Sequence, residues 1–128
     1  MPTENDKILI VQLADPEKEP EKSIASLIFA RTLAVMENEI VIFSMARAPL
    51  LYVNNLAENS FIDKKFKGLM IDNLIELLNY SSSVSIYICS KSKELLSIDE
   101  SMLIKPFQVA GMVTLHNLKQ ASSHAYFF

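Results

Sequence analysis

The stretch Val84-Ser-Ile-Tyr-Ile-Cys89 decides the fold class of this chain, because it is short, β-branched and ends in the only cysteine. Three further apolar runs have the same strand-like character, and one weaker run accompanies them. The runs cover residues 7–13, 39–45 and 125–128, and the weaker one covers residues 107–111. The first two are almost continuously apolar, which is expected for strands covered on both faces of a sheet.

Helical patterns separate these strands. Residues 21–36 follow Pro20, which suits the first helical position, and their apolar side chains surround most of the helix. That distribution predicts burial by the sheet and by a neighbouring subunit. Residues 70–80 and Met112–Ala121 keep their apolar side chains along one side. The order of elements therefore predicts a three-layer α/β/α fold with a five-stranded, mostly parallel sheet.

The segment between the second and third strands is harder to interpret. Residues 49–56 indicate a helix, and residues 58–67 have the polar composition of a solvated loop. The apolar residues 50–53 fit either the core or an oligomer contact. Farther along, Ser97-Ile-Asp-Glu100 has the spacing of a capping box, which predicts a short helical turn that begins there.

Length and composition set further limits. A chain of 128 residues with a net charge of −3 predicts one domain over residues 1–128, with residues 1–6 as a flexible tail. Half of the residues are hydrophobic, which is more than a small monomer hides easily and indicates subunit contacts. The mild acidity argues against direct nucleic-acid binding. No apolar window approaches the ~20 residues of a membrane span, and the polar start lacks a signal peptide, so we expect a cytoplasmic protein.

The scarcity of glycine and cysteine excludes several kinds of site. With two glycines, the chain has neither a dinucleotide-binding fingerprint nor a P-loop. With one cysteine, it has no internal disulfide and no cysteine-based zinc cluster. Two scattered histidines do not add up to a metal site. We therefore expect no cofactor and no metal.

Candidate functional residues follow the ends of the predicted strands, since ligands of open α/β sheets bind beyond the carboxyl ends. Cys89 ends the third strand and is the candidate nucleophile. The side chains expected to line a pocket beside it are Asp15, Arg47, Ser90, Lys91 and Ser92. A following helix and the nearby Lys91 and Lys93 would favour the thiolate, which is the reactive form of cysteine. Free cysteines are also commonly small buried hydrophobes, so position alone leaves both interpretations open.

Four short motifs occur in a fixed order in the second half of the chain. They are Val84-Ser-Ile-Tyr-Ile-Cys89-Ser-Lys-Ser92, Leu96-Ser-Ile-Asp-Glu100, Val109-Ala-Gly-Met-Val113 and Ala125-Tyr-Phe-Phe128. In this order and spacing, the chain resembles the DsrE/DsrF-like sulfur-relay family. The resemblance extends over roughly residues 7–128 and includes the first two strands with the acidic Asp-Pro loop between them.

The resemblance implies a function as well as a fold. It implies a homo-oligomer, a trimer or hexamer, in which Cys89 accepts sulfane sulfur from a donor protein as a persulfide. The sulfur then passes to a thiol of an acceptor protein, as in a sulfurtransferase. Many relatives have C-x-x-C where this chain has Cys89-x-x-Ser92, and a persulfide needs only one thiol. Arg47 beside that thiol would suit a sulfur oxyanion.

A second interpretation keeps the fold without the chemistry. In it, the protein is a non-catalytic oligomeric binding or scaffold module, and Cys89 is structural. The environment of Cys89 discriminates the two: exposure in a cleft favours the carrier, and burial among apolar side chains favours the scaffold.

Overall fold

The computed structural model describes residues 6–128. Its helices and strands alternate along the chain, as the apolar runs predict. The strands are β1 (Lys7–Gln12), β2 (Glu39–Ser44), β3 (Val84–Cys89), β4 (Gln108–Ala110) and β5 (His124–Phe127). The helices are α1 (Pro20–Val35), α2 (Lys64–Leu78), α3 (Ser90–Leu95) and α4 (Met112–Ala121). Short 3₁₀ segments lie at Ala48–Tyr52, Leu56–Glu58 and Glu100–Met102.

The described residues form one five-stranded sheet in the order β4-β3-β2-β1-β5, and every neighbouring pair is parallel. The chain steps from β1 to β4 in one direction and then crosses back to β5 on the far side of β1. Because crossovers between parallel strands are right-handed, this reversal puts α4 on the opposite face from α1 and α2. The predicted α/β fold with a five-stranded parallel sheet is confirmed.

The two faces of the sheet have separate cores, because side chains alternate along each strand. The α1/α2 face contains Ile8, Ile10, Ile40 and Ile42, which pack against both long helices. The α4 face contains a smaller cluster. Its buried members are Leu9, Val11, Val41, Phe43, Cys89 and Leu118.

Helix α2 begins earlier than the sequence predicts. Asp63 caps it by accepting the Lys65 backbone N–H at 2.9 Å, and Phe66 packs against the α1/α2 core. The end of the predicted loop, from Lys64 onward, is therefore helical. Three exposed or half-exposed lysines in the first turn gave this stretch its loop-like composition.

Residues 49–56 form 3₁₀ segments instead of the predicted helix, and Val53 makes an antiparallel bridge to Leu103. Leu51 and Tyr52 are almost completely buried, which favours the core interpretation of residues 50–53. The prediction that Ser97 caps a short helical turn is wrong. Asp99 caps the short turn instead, by accepting the Ser101 N–H at 2.9 Å.

The predicted tail, residues 1–6, lies outside the described residues except for Asp6. The Asp6 carbonyl accepts the Glu39 backbone N–H at 2.9 Å. Asp6, which precedes β1, is thus hydrogen-bonded to the first residue of β2.

Candidate functional site

Cys89 lies at the carboxyl end of β3, at the edge of the sheet that the strand order predicts for a site. It points to the α4 face and is 1% exposed. Ala110 of β4 pairs with it on one side. Ser44 of β2 pairs with Ile88, so the next residue of the chain, Met45, is placed on its other side. Cys89 is therefore flanked by neighbouring segments of the sheet, and its thiol is buried in an apolar cluster and not in an open cleft.

The expected support for a thiolate is only partly present. Cys89 precedes α3, but among the described residues its side chain makes no capping hydrogen bond with that helix. The Lys91 side chain is 78% exposed and forms an ion pair with Glu94 at 3.7 Å. The Lys91 side chain is thus directed to a neighbouring residue of its own helix.

Asp15 and Arg47 form an ion pair with each other. Arg47 Nε donates to Asp15 Oδ2 at 2.9 Å, and Arg47 Nη2 donates to Glu17 Oε1 at 3.2 Å. The other oxygen of Asp15 accepts the Glu17 backbone N–H at 2.9 Å. Two carboxylates thus balance the guanidinium, which leaves it little capacity for a sulfur oxyanion.

Glu17 is a site residue that the sequence did not reveal, because it belongs to an acidic run that is typical of a solvated loop. Its second oxygen accepts from Asn59 Nδ2 at 3.0 Å, and the Asn59 carbonyl accepts from Lys67 Nζ at 2.9 Å. The network ties the loop after β1 to the start of α2.

Ser92 is buried one turn after Cys89, and its hydroxyl binds the segment that follows β2. Ser92 Oγ accepts the backbone N–H of Ala46 at 2.8 Å. Ala46 has a φ of 57°, in the left-handed region that residues with a Cβ rarely adopt. Ser90 is half-buried beside Gly111, where a Cβ would lie 3.9 Å from its hydroxyl. Ser90 and Ser92 both belong to the helix that directly follows Cys89.

A buried polar chain lies on the α1/α2 face, near the end of β1. Tyr52 Oη donates to Gln12 Oε1 at 2.6 Å, and Gln12 Nε2 donates to Ser26 Oγ at 2.9 Å. Burial raises the pKa of the Tyr52 phenol well above its ordinary value, so it remains a neutral donor. Apart from a tyrosine within an apolar run, no sequence pattern indicates these buried hydrogen bonds.

A cavity of about 300 Å³ opens on the α1/α2 face at the same edge of the sheet. Its described lining includes Glu17, Leu50, Asn59, Phe61, Leu96 and Ile98. Cys89 points to the other face, so this cavity does not give access to the thiol.

A model of the DsrE/DsrF-like family matches residues 6–127, nearly the full chain. The chain belongs to the DsrE/DsrF-like family. This family is associated with sulfur relay. Comparison of the sequence with curated proteins gives no match.

Solved structures confirm the fold of this DsrE/DsrF-like chain. The YchN protein from E. coli superposes with a TM-score of 0.79 at 19% identity, over 96% of this chain and 99% of that one. BT1422 from Bacteroides thetaiotaomicron gives 0.61 at 13% identity, over 96% and 95% of the two chains. MTH1491 from Methanobacterium thermoautotrophicum gives 0.56 at 10% identity, over 94% and 97%. At these identities the likeness concerns the fold.

Two searches of residues 6–128 bear on other kinds of site. No group of three or more His, Cys, Asp or Glu side chains in this range is arranged to hold a metal ion. No helix in the same range is long and apolar enough to cross a membrane.

Proposed function

We propose that this protein is a sulfur carrier that holds sulfane sulfur as a persulfide on Cys89 and passes it to a thiol of a partner protein. One observation carries the proposal. The only thiol of a DsrE/DsrF-like chain lies at the carboxyl end of a central strand, where sheets of this type place their reactive groups.

The proposed chemistry is two thiol exchanges. The Cys89 thiolate attacks the outer sulfur of a donor persulfide, so that a Sγ–S bond forms and the donor's S–S bond breaks. The donor leaves as a thiolate and takes up a proton. An acceptor thiolate then attacks the outer sulfur of the Cys89 persulfide, which releases the Cys89 thiolate. The sulfur keeps its oxidation state throughout, so the relay needs no oxidant or reductant.

The burial of Cys89 does not meet the expectation of an exposed thiol, so the carrier proposal requires a local opening that lets donor and acceptor reach the sulfur. The same burial, among Leu9, Val41 and Phe43, is the observation that favours the second candidate function. In that candidate the protein is an oligomeric scaffold of the same fold and Cys89 is a core residue.

The proposal includes a homo-oligomer, a trimer or hexamer, that works with separate donor and acceptor proteins. The outward side of α1 beyond its first turn supports it, because the exposed residues there carry no charge, unlike Glu21 and Lys22 at the start of the helix. The uncharged residues are Ala25, Ile28, Thr32 and Val35. An uncharged outward face on a helix is typical of a protein contact. The proposal places the protein in the cytoplasm, where a lone thiol stays reduced.

The intact mass of the protein tests the carrier proposal directly. The protein is incubated with a sulfane-sulfur donor without reductant, and Cys89→Ser is treated in parallel. We expect a gain of one sulfur atom that reductant reverses and that the variant does not show. Circular dichroism checks that the variant is folded. If the wild type gains no sulfur and its folded form also resists alkylation, the scaffold function replaces the carrier.

A further inference from the structure

Met45, the residue that follows β2, lies beside Cys89 and covers it on one side. Met45 is half-buried and packs against the cluster that contains the thiol. Its own backbone N–H donates to the Gln12 carbonyl at 3.0 Å, which anchors the start of the covering segment to β1. Access to the thiol from this side therefore depends on residues 45–47.

Residues 45–47 are held in a conformation that they would not keep by themselves. Ala46 is in the left-handed region, which its Cβ disfavours, and the residue is exposed, so core packing does not hold it there. The segment must be fixed by its partners.

Besides the Met45–Gln12 bond and the Ala48 N–H that donates to the Met45 carbonyl at 3.1 Å, two side-chain anchors fix it, one on each side. Ser92 Oγ accepts the Ala46 N–H at 2.8 Å, which ties the segment to the helix that follows Cys89. Arg47 is tied to the loop after β1 by Asp15 at 2.9 Å and Glu17 at 3.2 Å. Both anchors are made by side chains at the carboxyl edge of the sheet, the buried Ser92 and the exposed Arg47. They can therefore break without separating any strands.

We propose that residues 45–47 form a gate over Cys89, that Ser92 and Arg47 hold it closed, and that Ser92 is a positioning residue for the thiol. The inference rests on the proposed function, because a gate has a role only if Cys89 reacts. A closed gate shields the persulfide from stray thiols. An open gate lets the thiol of a partner protein reach the outer sulfur.

The rate at which iodoacetamide alkylates Cys89 in the folded protein measures gate opening without any sulfur chemistry. Ser92→Ala removes one anchoring hydrogen bond, so we expect alkylation to accelerate about five- to tenfold. Ser92→Thr keeps the hydroxyl and is expected to restore the wild-type rate. Ala46→Gly allows the left-handed conformation without strain, so its alkylation is expected to be slower than that of the wild type.

Ser26→Ala is the matched control, because it also removes a buried serine hydroxyl but on the α1/α2 face. Equal acceleration by Ser26→Ala and Ser92→Ala, at equal loss of stability, would overturn the gate. So would a wild-type rate as fast as that of the urea-unfolded chain. Arg47→Gln removes the second anchor, the ion pairs of Arg47 with Asp15 and Glu17. If Ser92→Ala does not fold, faster alkylation of Arg47→Gln supports the gate and an unchanged rate overturns it.

The two proposals fail in different ways. A protein whose variants alter alkylation as expected but that never gains sulfur has a gate and is not a sulfur carrier. A protein that gains sulfur while all variants alkylate at the wild-type rate is a carrier without this gate.

Discussion

The α1/α2 face of the sheet carries helices of 16 and 15 residues, whereas the α4 face carries one helix of 10 residues in which Leu118 is the buried side chain. Cys89 belongs to the thinner face. Segments with few buried contacts are the ones that open locally at low free-energy cost. The comparison shows that the α1/α2 face holds most of the buried packing, whereas the thiol lies on the face that holds less of it.

The largest effect should come from the core of the α1/α2 face. Leu27 is fully buried there, so Leu27→Ala is expected to lower the free energy of unfolding by about 3–5 kcal/mol. Leu118→Ala makes the same change under the single helix of the α4 face, where we expect a loss of about 2 kcal/mol. Urea denaturation measures both. Equal losses would contradict the difference between the faces.

Tyr52 tests whether the buried polar chain of the α1/α2 face is structural. Tyr52→Phe leaves Gln12 Oε1 without its donor, so we expect a loss of about 1–2 kcal/mol at neutral pH. Sulfur loading of Cys89 should be unchanged, because the chain lies on the other face. Slower loading would mean that the two faces are coupled.

The same substitution has a predictable pH dependence. Burial raises the pKa of Tyr52 in the folded protein above the ordinary tyrosine value of about 10. The neutral phenol is therefore favoured by folding, and this contribution is present below pH 10 and lost as the pH rises and the unfolded chain ionises. The wild type should lose this contribution above pH 10, whereas Tyr52→Phe has no phenol to ionise at this position. The stability difference between the two proteins should shrink there.

The sequence predicts two kinds of feature: the apolar runs that recur along the chain as strands, and the residues that stand at the ends of those runs. The parallel strands follow from runs such as Val84–Cys89, and the position of Cys89 follows from the end of that run. The start of α2 is missed because its lysines give a helical turn the composition of a loop.

The gate illustrates what a local pattern cannot show. Glycine usually marks a left-handed residue, and here the position holds Ala46. The partner that fixes it, Ser92, is 46 residues away along the chain, and Arg47 is 32 residues from Asp15. Only the pairing of β1, β2 and β3 brings these groups to one edge.

The smallest effect on stability, and the sharpest separation of the two faces, should come from their exposed valines. Val35 on α1 is 56% exposed and Val113 on α4 is 76% exposed, so Val→Glu at either position should change the free energy of unfolding by about 0.5 kcal/mol or less. Val35→Glu puts a charge into the uncharged face that we assign to the homo-oligomer, and native mass spectrometry should show smaller assemblies. Val113→Glu is the matched control and should leave the assembly intact, because it lies on the other side of the sheet. If Val113→Glu dissociates the protein and Val35→Glu does not, subunits meet over the α4 face. Cys89 would then be covered by a second copy of the chain, and access to it would depend on assembly as well as on residues 45–47.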